Sequence, residues 1–278
     1  MTMLARGFDI GSNAVSHLYS RLFLRAVFLG FCLTVTPVMA NQQAWQSPDY
    51  IVEAFYRIAF QSEYVQGEQG VRKWDGPIRY HVAHPISASQ LHDDLVTYHV
   101  AHLETLTGID FIPTPTLQRA NLTIMFTNHE RFLDDARKQF NNADVSPLHD
   151  AVCAANFRIN QHGAIHHAAV VIPVDLARSK GKLVACVVEE LTQIMGLPND
   201  DDRVFPSIFN DRTPQQLLTG LDGLLLRLLY LDEIEAGQDW QTAQTIIQPV
   251  VEQWASDGTI DNAHRSVKTG ELYRLLGW

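Results

Sequence analysis

Apolar residues recur at two spacings along this chain, and the spacings predict where its helices and strands lie. Apolar positions three or four residues apart form one face of a helix, whereas alternation with polar positions is typical of a strand. The first spacing predicts helices over residues 47–64, 90–108, 182–196, 215–231 and 239–258. The second predicts strands over residues 77–84, 121–126 and 163–175, of which the last is the strongest apolar run.

Residues that favour helix ends support these boundaries. Ser87, with Gln90 three positions later, resembles a capping box at a helix start. Gly108 and Gly196 stand where a left-handed residue would close the preceding helix. Pro249 lies inside the last predicted helix and is expected to kink or divide it, because proline lacks the backbone N–H that a helix uses.

The order of these elements indicates an α+β fold, because strands mix with helices in the first part and only helices follow. The change falls near residue 200, where no flexible linker separates the parts. We therefore expect one compact unit with two lobes, an α+β lobe at residues 41–200 and a smaller helical lobe at residues 201–278.

Residues 1–40 have the composition of a secretory signal peptide. Three arginines accompany the apolar run AVFLGFCLTV, and the small residues Val38 and Ala40 stand at positions that a signal peptidase accepts. The chain is therefore predicted to be exported, to the periplasm or the medium. An uncleaved signal that anchors the chain is the alternative, and we expect no other contact with a membrane.

Charge excludes one class of partner. Without residues 1–40 the chain has 18 basic and 30 acidic residues, a formal charge near −12. Binding of nucleic acid depends on clustered Lys and Arg that neutralise phosphates, so no nucleic-acid partner is expected.

Two cysteines, Cys153 and Cys186, remain once the predicted signal, which contains Cys32, is removed. An even number of cysteines in an exported chain predicts a disulfide, since the compartment is oxidising. Two buried thiols are the alternative.

The helix predicted at residues 182–196 contains the candidate chemistry. Glu189 and Gln193 are one turn apart and share a face, with Glu190 beside them. Adjacent carboxylates repel each other, and burial would raise the pKa of at least one of them, as happens in enzymes that use a general base.

This helix resembles the zinc-binding helix of zincin metalloproteases. Its sequence is E-E-x-x-Q-x-x-G-x-x-N where metzincins have H-E-x-x-H-x-x-G-x-x-H. Glu190 occupies the general-base position, while Glu189, Gln193 and Asn199 occupy the three histidine positions. The resemblance implies a zincin-like mixed sheet with long helices beneath it, and a cleft that these residues and Asp200 would line.

Two downstream segments extend this resemblance. SIFND at residues 207–211 is similar to the methionine-containing turn of metzincins, with Phe209 in the methionine position. The helix that follows contains Asp222, which would brace that turn.

A second resemblance covers the chain from Trp74 to Gln238. In order, it has Cys186, EELTQ, GLPND, SIFND and LTGLDGLLLRLLYLDEIEAGQ. These blocks are similar to an exported bacterial family known as domain of unknown function 2927, which implies neither a substrate nor an activity.

Zinc chemistry is not expected at these positions. Glu189, Gln193 and Asn199 offer one carboxylate and two neutral amide oxygens, whereas zinc prefers Cys, His and carboxylate ligands. No metal site and no cofactor are therefore predicted, although such oxygen donors would suit a hard cation such as calcium or manganese.

The favoured interpretation is a pseudo-protease or binding module that captures an extended peptide or a cell-envelope polymer along a sheet edge. The alternatives are a peptidase-like hydrolase in which Glu190 is the base, with a non-zinc metal or none, and a purely structural role.

Other polar groups are not assigned to the site. We expect His99 and His102 on a solvated helix face, and His166 and His167 at the surface or half-buried on a strand. The acidic run at residues 200–202 is expected to be a solvated loop.

Overall fold

Strands of one mixed β-sheet form the centre of the computed structural model, which describes residues 44–62, 67–212 and 215–277. They are β1 (Lys73–Trp74), β2 (Ile78–Ala83), β3 (Phe111–Pro113), β4 (Leu122–Thr127), β5 (Ala154–Ile159) and β6 (Ala164–Pro173). The strand β6 is almost continuously apolar because helices cover both of its faces, as is usual for a buried parallel strand.

The sheet has parallel neighbours in the order β3, β2, β4, β6, and β1 also runs parallel to the beginning of β6. The strand β5 differs, since it pairs with β6 in the antiparallel direction. No other strand of the described chain pairs with the outer edge of β5. It is therefore an open edge of the sheet.

Helices surround the sheet and make up the C-terminal part. They are α1 (Pro48–Phe55), α2 (Gln90–Thr107), α3 (Phe132–Gln139), α4 (Val174–Ser179), α5 (Leu183–Gln193), α6 (Gly220–Leu229), α7 (Trp240–Ser256), α8 (Thr259–Val267) and α9 (Glu271–Leu276). A π-helical turn, Tyr56–Phe60, continues α1. The chain is thus an α+β protein, as predicted, and residues 44–278 form one compact unit.

The two faces of the sheet carry separate hydrophobic clusters. Side chains alternate between faces along a strand. Val170 of β6 therefore packs in the large core with Leu191 of α5 and Leu103 of α2, whereas Val171 packs with Phe132 of α3 in a smaller cluster. The helices α5 and α3 consequently lie on opposite faces of the sheet.

The predicted disulfide is present and joins Cys153, just before β5, to Cys186 in α5. It closes a loop with a sequence separation of 33 residues. Closing such a loop restricts the unfolded chain and stabilises the fold by roughly 4 kcal/mol. The bond also fixes the edge strand to the helix that carries the candidate chemistry.

Several predicted boundaries were wrong. The helix α2 begins after Ser89, without a side-chain cap from Ser87, although Gly108 closes it in a left-handed conformation as expected. The helix α6 begins only at Gly220, because Thr219 and Asp222 form a capping box there. The helix α7 runs through Pro249 without division.

Other elements were absent from the sequence-based prediction, namely β1, β3, β5, α4, α8 and α9. The predicted signal peptide at residues 1–40 lies outside the described residues. Among the helices that are described, none is long and apolar enough to cross a membrane.

Candidate functional site

The C-terminal end of α5 is held by contacts to distant parts of the chain. Trp74 of β1 donates its indole N–H to the carbonyl of Ile194 at 2.8 Å, and Tyr230 donates its hydroxyl to the carbonyl of Met195 at 2.8 Å. Gly196 then turns the chain with a φ of +114°. These contacts satisfy carbonyl groups that a helix end leaves without partners.

Glu189 and Gln193 lie one turn apart on α5, both half-buried. The side-chain nitrogen of Gln193 donates to both carboxylate oxygens of Asp200, at 3.1 and 3.2 Å. Burial raises the pKa of Glu189 to about 8, and the negative charges of Asp200 and Asp211 add to this increase. The structure therefore brings together three of the predicted residues, Glu189, Gln193 and Asp200.

Glu190 is more deeply buried than Glu189 and Gln193. Its side chain is buried, with 6% of its surface exposed, so the expectation that this side of α5 presents Glu190 was wrong. Burial raises its pKa well above the ordinary value, and the charges of Glu189 and Asp200 raise it further. Within the described residues its carboxyl group accepts no hydrogen bond. Both effects favour the protonated form of Glu190.

Asn199 is tied to the segment that follows α1. Its side-chain nitrogen donates to the carbonyl of Arg57 at 2.9 Å, and its backbone N–H donates to the carbonyl of Ile58 at 3.3 Å. Its side-chain oxygen is buried and has no hydrogen-bond partner in the part of the chain described. Asn199 thus anchors the loop after α5.

The acidic run at residues 200–202 was expected to be a solvated loop, and this prediction was wrong for Asp201. Asp201 is buried and forms ion pairs with Arg57 at 3.3 Å and Arg203 at 2.5 Å. Burial alone would raise the pKa of Asp201, but hydrogen bonds and charge from Arg203, with Arg57, outweigh burial and lower it. Asp201 is therefore a structural anion, while Asp202 is exposed.

The SIFND segment forms a turn that Asp222 braces, as expected. The carboxylate of Asp222 accepts hydrogen bonds from the Ser207 hydroxyl at 2.6 Å, from the Ile208 N–H at 3.2 Å and from the Thr219 N–H at 2.7 Å. Phe209 of the same turn is fully buried. The turn is consequently fixed against α6.

A cleft of about 670 Å³ opens at the acidic run that follows Asn199. It is lined by Gln61, Ser62, Asn199, Asp200, Asp201, Asp202, Arg203, Asp211 and Arg212. Arg203 is paired with Asp201 and Arg212 with Asp202, the latter at 2.6 Å. Asp200 and Asp211 add negative charge, so the cleft is acidic and suits a basic or neutral ligand better than an anion.

The donor set does not fit zinc. The described parts of the chain contain no group of three or more His, Cys, Asp or Glu side chains placed to hold a metal ion. Gln193 presents its amide nitrogen, which is not a metal ligand, to Asp200.

The open edge strand β5 was not found by sequence analysis. Asn156, Arg158 and Ile159 of this strand are exposed. The alternation of Phe157 and Ile159 with polar residues was the signal for a strand, but a six-residue segment gives little periodicity.

The histidines lie away from this cleft. His99 and His102 are buried in α2, contrary to expectation, and the His99 ring contacts the Thr192 hydroxyl at 3.1 Å. Burial lowers the pKa of His99 to about 3, so it is neutral. His166 is exposed and His167 is half-buried, as expected.

Comparison with protein families matches residues 48–249 to a family described as "Protein of unknown function (DUF2927)". This match covers most of the chain and confirms the resemblance noted between Trp74 and Gln238. Comparison with curated proteins yields no match.

Proposed function

This chain belongs to the DUF2927 family, and we propose that it is an exported binding module that captures extended peptides on a metzincin-like scaffold without zinc. The observation that carries the proposal is the open antiparallel edge of β5, which the disulfide joins to α5. Gln193 at the end of α5 in turn donates a hydrogen bond to Asp200 of the acidic cleft. An unpaired strand edge presents N–H and C=O groups that an extended peptide can use.

Three features support the metzincin-like part of the proposal. The sheet is parallel except for its edge strand, and α5 lies under that edge. The chain turns at Gly196 directly after α5. The buried turn at Phe209 is braced by Asp222, in the place where the resemblance puts the methionine turn.

The chemistry of the cleft indicates what kind of peptide would bind. Asp200, Asp202 and Asp211 line it, and the pKa of nearby Glu189 is raised by burial and, in addition, by the charges of Asp200 and Asp211. A Lys or Arg side chain next to the strand-forming part of a peptide would relieve this repulsion. We therefore expect a preference for basic peptides over acidic ones, and a basic cell-envelope polymer would meet the same requirements.

Fluorescence anisotropy with labelled ten-residue peptides tests this proposal. Lys- and Arg-containing peptides are expected to bind more tightly than Asp- and Glu-containing ones, and N-methylation of alternate backbone amides should abolish binding. The double variant Asp200→Asn, Asp211→Asn should bind basic peptides about tenfold more weakly. Asp261→Asn, which removes an exposed charge from α8, is the matched control. Equal binding of N-methylated peptides would contradict strand addition.

A peptidase-like hydrolase is a second candidate, supported by the raised pKa values of Glu189 and Glu190. A carboxyl group that keeps its proton at neutral pH is able to act as a general acid, and its conjugate base is unusually basic. Mass spectrometry of the same peptides after incubation would reveal cleavage. Cleavage that disappears in Glu190→Gln would establish this candidate, and intact peptides would exclude it for these substrates.

The scaffold hypothesis predicts a gain of zinc binding. Glu189 and Gln193 are one turn apart, and Asp200 lies within 3.2 Å of the Gln193 side chain. The double variant Glu189→His, Gln193→His would offer two imidazoles and one carboxylate, a common zinc-binding set. We expect about one zinc per chain by metal analysis, and none in Glu189→His, Gln193→Ala. No zinc in the double-histidine variant would count against the scaffold.

A further inference from the structure

A second hollow, unrelated to the acidic cleft, lies on the opposite face of the sheet. Its volume is about 290 Å³, and its lining consists of Leu117, Thr123, Lys138, Gln139, Asn141, Arg158 and His167. The large core with α5 includes Leu122 and Ile124 of β4, so strand alternation places Thr123 on the α3 side. The hollow is thus separated from α5 by the sheet.

Three neighbouring strands and the end of α3 build this hollow. Arg158 of β5 pairs with His167 of β6, so the two side chains stand next to each other on one face. Thr123 of β4 pairs with Ala169, two residues beyond His167 and on the same face. The helix α3 ends at Gln139 and adds Lys138 at the rim.

The charge of the lining is entirely positive or neutral. Among the described residues no carboxylate borders the hollow, although the chain has an excess of ten acidic residues. Arg158 forms no hydrogen bond or ion pair with any described residue. Lys138 lies 3.9 Å from Asp135, but Asp135 already pairs with Arg131 at 3.3 Å and accepts a hydrogen bond from Thr127 at 2.6 Å.

A hydroxyl also lines the hollow. Thr123 is 1% exposed, and its side chain belongs to the lining. Its hydroxyl is able to donate a hydrogen bond to an oxygen of a ligand in the hollow.

We propose that this hollow binds a phosphate-type oxyanion, either inorganic phosphate or the phosphate group of a small ester. Arg158, Lys138 and His167 supply charged or polar N–H donors, Thr123 a hydroxyl, and Gln139 and Asn141 amide N–H groups. These donors outnumber the acceptor positions of one carboxylate, whereas a phosphate dianion has more oxygens and a higher charge.

The lowered pKa of His167 is consistent with a site that has positive charge but no anion to balance it. Burial lowers its pKa, and the positive charge of Arg158, with that of His166 when protonated, lowers it further. An anion between Arg158, Lys138 and His167 would oppose both charge effects.

Isothermal titration calorimetry with inorganic phosphate near neutral pH tests the proposal on the purified protein. We expect saturable binding of one phosphate per chain, and NMR signals of the His167 ring should shift during the titration. Arg158→Gln and Lys138→Gln should each weaken binding about tenfold or more, as expected for a charge-assisted hydrogen bond. Arg137→Gln removes a positive charge from the same helix and should leave binding unchanged, because Arg137 pairs with exposed Asp134 outside the hollow.

Sulfate and acetate distinguish the kind of anion. Competition of sulfate with phosphate would support an oxyanion site. Tighter binding of acetate than of phosphate would overturn the assignment to phosphate. A phosphate monoester that binds more tightly than inorganic phosphate would identify the ester as the source. Absence of phosphate binding, or equal weakening by Arg137→Gln and Arg158→Gln, would overturn the site. Arg158 and Lys138 are exposed, so neither variant removes core packing. This outcome is independent of peptide binding at β5.

Discussion

Glu190→Gln is expected to stabilise the protein, and the gain should increase with pH. The pKa of Glu190 in the folded wild type lies well above the ordinary 4.5, because the side chain is buried and lies close to Glu189 and Asp200. Above pH 4.5 the unfolded state releases a proton that the raised pKa makes the folded state retain. The wild type therefore loses stability as the pH rises from there towards the folded pKa, by up to about 1.4 kcal/mol per pH unit. Glutamine has no proton to release, so the cost disappears.

Urea unfolding of both proteins at several pH values measures this effect. The free energy of unfolding of the variant minus that of the wild type should rise between pH 5 and pH 7. Glu233→Gln, a change of an exposed loop carboxylate, should give a difference that stays flat. A flat difference for Glu190→Gln as well would show that Glu190 is solvated and ionised in the folded protein, contrary to the structure.

Gly196→Ala is expected to destabilise the protein by about 4 kcal/mol or more. Gly196 has a φ of +114°, which disfavours any residue with a Cβ atom. That atom would also lie 1.8 Å from the carbonyl oxygen of Arg72 and 3.3 Å from a methyl carbon of Leu229. The backbone at Arg72 would have to move, and β1 follows directly after it.

Chemical denaturation with Gly181→Ala as the control separates the cost of the positive φ from the cost of the steric clash. Gly181 also has a positive φ, +66°, but a Cβ there would meet no atom within 4 Å. Its replacement should cost only about 1 kcal/mol, the cost of the backbone conformation. Similar losses in both variants would mean that the close approach between Gly196 and Arg72 does not exist in solution.

These two predictions concern the same helix and have a common meaning. The backbone packs tightly at the end of α5, where Gly196 approaches Arg72. The same helix carries Glu189 and Glu190, and the burial of their ionisable side chains reduces the stability of the folded protein. Buried carboxyl groups with raised pKa values are concentrated at functional sites, where stability is lost in favour of chemistry or recognition. The raised pKa values of Glu189 and Glu190 thus agree with the functional role that we propose for this region.

Local sequence patterns determined much of the fold. Periodicity located β2, β4, β6 and α5, because each is long enough or apolar enough to show its spacing. The count of cysteines predicted the disulfide, and ordered sequence blocks predicted the family. The bracing of the SIFND turn by Asp222 followed from a resemblance rather than from spacing.

Only the tertiary structure decided which polar groups are buried and which meet. Glu190 looked like a neighbour of Glu189 on an open face, but the packing of α5 buries it. Asp201 looked solvated until Arg57, 144 positions away, was found beside it. Likewise, β5 became an open edge, and Arg158 met Lys138 at one hollow, through the order of the strands. Spacing along a chain reports interactions over one or two turns, whereas burial and the partners of a charge depend on elements far apart in sequence.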